Sequence, residues 1–418
     1  MRAREPIMTS SFAWLDYSAR ERRTMLEVVD LFREKGTVDE LGLGTIRDAF
    51  ADRLFPGTST LHSRTRYWLF IPWLYQRIEA ENTKSADVDV RARRRQADLV
   101  GALVNGGESD GVIGIEAKDK VLRPPSFVYW AGLSRYGIFV RPWSMARYHR
   151  SLDGFYRSAG NRRSEGDEPE LIDPGFRNWH AGLPPAPAEL TERTTFRLTR
   201  PEAEYLRERF ITRSEGSMLA WALQHPANLD DVHAPWRHPR IEEAPPPLKQ
   251  IVDVGERFSL LMYGAVLVYN AALAELAASR GQPRATLADE YRETYSRWVD
   301  ERIAPRLGEL RAWDRGELWA VAGEMLHGRV GRTRDFAERW MTALLTNPGA
   351  ALDSADVRRL IAGREQVMKG RLARLHNPNA LERWNGRSGV YELTYRWGQG
   401  RILLRDIARG LRTEEVDA

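Results

Sequence analysis

Apolar positions along this chain recur at helical spacing far more often than they alternate. Met25, Val28, Val29 and Phe32 stand at i, i+3, i+4 and i+7, the signature of one helix face. Ser18 and Glu21 ahead of them have capping-box spacing and Gly36 supplies a stop, so the pattern predicts a helix over 18–36. Further helices are predicted over 45–54, 61–80 and 91–104, with Pro72 expected to kink or break the 61–80 segment. Thr199, Pro201 and Glu202 mark another start, threonine as cap and glutamate at the capping-box position. Long helices are predicted over 250–280, 286–303, 315–327 and 333–345, and a last one over 401–411. Two short stretches read as strands: the apolar run 112–115 and the alternating 390–397. Residues 226–247, rich in Pro, Asp and His, read as a long loop.

These elements describe a mainly α, multi-domain helical protein (α+β in class) with a few short strands and a small C-terminal strand–helix unit. The expected divisions are a mostly helical 1–157 containing the FPGTST corner, a Pro/Gly-rich linker over 158–190, a helical domain over 191–346 and a strand–helix region over 347–418. A chain of 418 residues is long enough for two or three such cores.

Composition narrows the chemistry. With no cysteine there is no disulfide, no thiolate nucleophile and no Cys-ligated zinc, and a cytoplasmic setting is expected. The apolar run 258–276 is broken by Tyr263, Gly264, Asn270 and Glu275, so it reads as a buried helix and no membrane is expected as partner. Net charge is +5, and arginine supplies 57 of the 63 basic residues. Its planar fork suits phosphate, although a genome rich in arginine codons gives the same skew. DNA is therefore an admissible partner.

The stretch ESDGVIGIEAKDK, 108–120, raises the sharpest chemical question. A restriction-type nuclease holds Mg²⁺ on an upstream Asp and the Glu of a Glu-x-Lys that ends a strand. Glu116 and Lys118 supply the downstream half. Asp98 is the upstream candidate by distance, but it falls in a predicted helix; Asp87 and Asp89 lie in a polar run, and Asp110 is too close. The other reading is a turn followed by a solvated charged segment. Mg²⁺ enters only on the nuclease reading, and no other cofactor is expected.

Other motifs are incomplete. No phosphate-binding Walker loop or dinucleotide fingerprint occurs. Ser109 sits in Gly-x-Ser-x-Gly, but a helix precedes it and a strand follows, the reverse of a nucleophile elbow. His233 and His238 lack further ligands at metal spacing, so no metal site is expected. The candidate nucleic-acid residues are Thr58, Ser59 and Thr60 as helix caps with Arg64 and Arg66 in the following turns. Arg91, Arg93, Arg94 and Arg95 form a second basic group, against the alternative of a solvated face. Arg401, Arg405 and Arg409 recur at spacing four on the last helix and are candidates for docking a partner.

The segments FPGTSTLHSRTRYWLFIPWLYQRIE, GVIG, PPSFVYWAGLSRYGI and YRWGQGRILLRDIARGL, with others along nearly the whole chain, resemble an uncharacterised bacterial family, DUF6361. That resemblance implies a component of phage-defence islands, encoded beside helicases and phospholipase-D-like nucleases. It implies no catalytic residues. The expected function is a non-enzymatic subunit that binds nucleic acid or docks a helicase or nuclease. The alternatives are a Mg²⁺-dependent nuclease using Glu116 and Lys118, and a protein-only scaffold.

Overall fold

The computed structural model describes residues 40–116, 122–164, 177–282, 284–326 and 331–412. The helix expected over 18–36, Lys118 and His327 lie outside the described residues. The first half of the chain forms α1 (Gly44–Leu54), α2 (Tyr67–Ala80), α3 (Val88–Asn105), α4 (Pro125–Arg135), α5 (Met145–Ser164), α6 (Arg200–Arg213) and α7 (Met218–Gln224). The second half forms α8 (Pro246–Ser279), α9 (Ala285–Trp298), α10 (Leu307–Ala312), α11 (Gly316–Leu326), α12 (Gly331–Thr346), α13 (Ala355–Lys369), α14 (Pro378–Glu382) and α15 (Trp397–Arg412). The protein is mainly α. Among the described residues, extended pairing is confined to one antiparallel bridge, Phe139 with Trp179.

The apolar run expected to be a buried helix is α8, 34 residues long. By length and composition alone it is able to cross a membrane. Here it is an axis instead: α9 lies along it, and α1, α11, α12 and α13 pack around it. Leu260, Leu261, Val268, Tyr269 and Leu273 on it are fully buried. Burying a large apolar side chain is worth about 1.5–3 kcal/mol, so this helix anchors the second half of the chain. The core continues without a break into the first half, through α1 and α2 to α15.

Local signals placed several starts correctly. Thr199 accepts the Glu202 backbone N–H, Glu202 accepts that of Thr199, and α6 begins there. Both partners satisfy amides that a helix start leaves unpaired. Residues 184–187, expected within a linker, lie against α2, where Trp73 Nε1 donates to the Pro184 carbonyl at 2.7 Å. Helix α2 runs through Pro72 as one element, with Trp68, Leu69, Phe70, Trp73 and Leu74 buried along it.

Both expected strands are absent from the described residues. Residues 112–115 lie among turns because Gly111 (φ +78°) and Gly114 (φ +91°) sit in the left-handed region, which breaks an extended run. At 390–397 the alternation is genuine but no strand lies alongside. Side chains of α8 reach the chain here instead: Leu393 N–H donates to Ser259 Oγ at 2.9 Å and, just before the segment, Ser388 N–H to Asn270 Oδ1 at 2.9 Å. Tyr395 and Arg396 then take positive φ, turning the chain into α15.

Candidate nucleic-acid interface

The FPGTST corner turns at Gly57, which takes φ +78°. Its hydroxyls do not cap α2, which begins later, at Tyr67. Thr58 is buried and donates to the Phe55 carbonyl. Ser59 Oγ accepts the Leu61 N–H. The Thr60 carbonyl accepts from Gln399, and the Thr58 carbonyl from Arg396 at 2.9 Å. Tyr136 donates its hydroxyl to the Pro56 carbonyl. Three of the segments that carry the family resemblance therefore meet at one joint, and the Thr58 and Ser59 hydroxyls, expected to hold phosphate, make bonds within it.

Residues 61–66 are held by remote groups. Tyr129 Oη accepts the N–H of Ser63 at 3.0 Å and donates to the Arg64 carbonyl. Thr65 N–H donates to Asp406 Oδ2 of α15 at 3.0 Å. Arg66 is buried: Nη2 donates to Glu202 at 2.7 Å and Nη1 to the Thr195 carbonyl at 2.8 Å. It ties α2 to α6 and faces no solvent. Arg64, one position from the buried Thr65, points the other way. Its guanidinium lies over the Phe196 ring at 4.9 Å, its Nε is buried without a partner, and its chain crosses Gly111, where a Cβ would stand 2.6 Å from Arg64 Cγ.

The opening of ESDGVIGIEAKDK is the wall beside Arg64. Glu108 Oε1 accepts the Phe196 N–H at 2.8 Å, Ser63 Oγ donates to the Gly111 carbonyl at 2.7 Å, and Ile113 N–H donates to Tyr67 Oη at 2.9 Å. Glu116 is exposed at the end of this wall, and Asp98 is exposed on α3. Among the described residues no three His, Asp or Glu side chains form a group able to hold a metal ion. His238 is buried with its ring against Trp221 and Trp397 while His233 is exposed. Ser109 is an exposed turn residue.

Between this wall and α15 lies a cleft of about 460 Å³. Four guanidiniums line it: Arg64, Arg197, Arg409 and Arg412. Its two carboxylates are Glu108 and Asp406, and each already accepts a backbone N–H. Asp110 approaches Arg64 at 3.9 Å from the solvent side, its own side chain 98% exposed. Neither Arg197 nor Arg412 has an ion pair among the described residues. A second cleft of about 620 Å³ lies on the other side of α15, between it and the segment after α7. Arg409 and Arg412 line both clefts, joined in the second by Arg405 and Arg207.

The structure thus brings together Arg64 and Arg409, which the sequence placed in two separate candidates. Arg405 pairs with Asp230 at 3.2 Å, and Arg401 donates to the carbonyls of Asp230 and Val232, so these two bind the chain after α7. The basic group on α3 is far more neutralised. Glu81 takes both Arg91 and Arg95, Asp89 takes Arg93, and only Arg94 of the four is exposed with no ion pair among the described residues. Sequence reading missed Arg197 and Arg412. Arg412 was legible, three positions after Arg409 on the same helix face; Arg197 carried no local signal, since only the fold sets it opposite α15.

What a cleft so built can do is bind anions. Guanidinium forks bind phosphate through two donors at once, and here four of them converge against two carboxylates. No curated protein and no solved structure matches the chain. A family model described as a family of unknown function, DUF6361, matches residues 9–410. The chain, matched over nearly its whole length, belongs to the DUF6361 family.

Proposed function

We propose that this protein is a non-enzymatic nucleic-acid-binding component of a bacterial anti-phage defence system, acting beside a helicase or nuclease partner. One observation carries the binding half of this reading. Arginines from three separate parts of the chain, Arg64, Arg197 and the Arg409–Arg412 pair, converge on one cleft in which they outnumber the carboxylates, Glu108 and Asp406, two to one. Gathering four guanidiniums against two lining carboxylates leaves an excess of positive charge in the cleft, and like charges brought together cost stability. The defence setting and the partner class rest on the family resemblance.

The test is a titration of the purified full chain against labelled double- and single-stranded DNA, with and without Mg²⁺, resolved on native and denaturing gels. The expected result is a shifted, intact band that weakens as salt rises. Each phosphate contact contributes a slope of about 0.9 in log K against log salt for duplex, and about 0.7 for single strands. Arg409→Ala with Arg412→Ala should lower that slope by roughly 1.4–1.8. Absence of a shift at low salt would remove nucleic acid and leave the protein-only scaffold.

A further inference from the structure

We infer that the cleft beside α15 is a phosphomonoester site, taking the terminal phosphate of a nucleic-acid end or of a free nucleotide. The inference rests on the nucleic-acid reading above and goes beyond it by naming the group recognised.

Arg64 decides between an end and the middle of a strand. Arg409 and Arg412 are exposed on α15, at the rim of the cleft. Arg64 is recessed. Its side chain is 24% exposed, held between the Phe196 ring and the Gly111 backbone. A bridging phosphate of a continuous duplex has sugar on both sides and stays at the rim. A terminal phosphate enters. The volume of about 460 Å³ falls in the range of about 300–1,000 Å³ usual for small-molecule sites.

Charge points the same way. A phosphomonoester carries about −1.5 to −2 at neutral pH, with three acceptor oxygens, whereas a bridging diester carries a single charge. Four guanidiniums against two carboxylates leave the cleft with an excess of positive charge, which favours a dianion over a singly charged diester. The Arg64 Nε is buried and the guanidinium is held against the Phe196 ring, so an oxygen bound at its Nη atoms costs little further ordering. Glu108 and Asp406 each have one oxygen held by a backbone N–H, and the four guanidiniums outnumber them two to one.

The experiment uses the full chain and fluorescence anisotropy. Two single-stranded 12-mers of one sequence, one bearing a 5′-phosphate and one a 5′-hydroxyl, are titrated in parallel. Adenosine monophosphate and inorganic phosphate serve as unlabelled competitors. The expected result is at least tenfold tighter binding of the 5′-phosphate oligonucleotide. That preference should vanish in Arg64→Gln and in Arg197→Gln; the exposed Arg197 provides a variant whose folding is not at issue. Binding of adenosine monophosphate in a separate calorimetric titration, with no binding of either oligonucleotide, keeps the phosphomonoester site and makes free nucleotide its source, while overturning the nucleic-acid reading. Equal, salt-sensitive binding of both oligonucleotides overturns the phosphomonoester site and leaves nucleic-acid binding standing. No binding of any probe overturns both.

Discussion

The guanidinium of Arg66 and the carboxylate of Glu202 meet 2.7 Å apart in the interior, with their side chains 8% and 5% exposed. The same carboxylate caps α6 by accepting the Thr199 N–H, so one glutamate serves both a helix start and a long-range tie. Removing one partner of a buried pair strands the other charge, at about 3–5 kcal/mol. Arg66→Ala should therefore lower stability by that amount in urea denaturation, whereas Arg64→Ala, two positions away, breaks a long ion pair with the exposed Asp110 and should cost clearly less, about 1 kcal/mol. DNA binding should respond in the opposite order among whatever folds. Equal losses of stability for the two variants would mean that Arg64 is structural.

Gly400 sits where α15 crosses the corner. A Cβ there would run into the Phe55 ring, and Phe55 itself packs edge-on against Trp397 at 5.9 Å. Neither ring has room to move, since both are buried. Gly400→Ala should destabilise by about 1–3 kcal/mol through overpacking. Gly398, exposed on the same helix with nothing within 4 Å, provides the contrast: alanine there should be neutral or slightly stabilising. Thermal melts of the two variants decide, and matching curves would refute close docking of α15 at this point.

How much of this was readable beforehand depends on where each group finds its partner. The α6 start was legible because Thr199 and Glu202 are three residues apart. The arginine stripe on α15 was legible from its spacing. The start of α2 was not, because its preceding amides are taken by Tyr129 and Asp406, 65 and 341 positions away. The strand expected over 390–397 failed for a related reason: alternation describes a half-buried extended chain, and here the segment lies against a helix whose Ser259 takes the Leu393 N–H. The cleft itself had no sequence signature, since Arg64, Arg197 and Arg409 become neighbours only through the fold.

Glu116 provides a test of the nuclease alternative. It is exposed beyond Gly114, where the backbone turns rather than extends, so the strand that would aim its carboxylate at a metal is missing. Glu116→Ala should leave DNA binding within about twofold of the parent, a difference below about 0.5 kcal/mol. Labelled DNA should stay intact with Mg²⁺ or with EDTA. Cleavage by the parent that EDTA stops and Glu116→Ala abolishes would restore the nuclease reading.

His62 links the same joint to pH. Its Nδ1 accepts the Ser59 N–H at 3.2 Å and its Nε2 faces the Val128 carbonyl at 3.2 Å, which fixes the neutral tautomer with the proton on Nε2. The ring is stacked on Tyr129 at 4.2 Å. Burial holds its pKa down to about 3, from 6.5 in the unfolded chain. The folded value lies below the unfolded one, so acid protonates the unfolded chain first. The stability that depends on neutral His62 is complete above about pH 6.5 and is lost as pH falls toward 3, by about 1.4 kcal/mol per unit. In His62→Gln the slope of unfolding free energy against pH between 4.5 and 6 should flatten by about that much. A second proton would have to sit on Nδ1, facing the Ser59 N–H, so parallel slopes for parent and variant would mean that the corner opens to admit it.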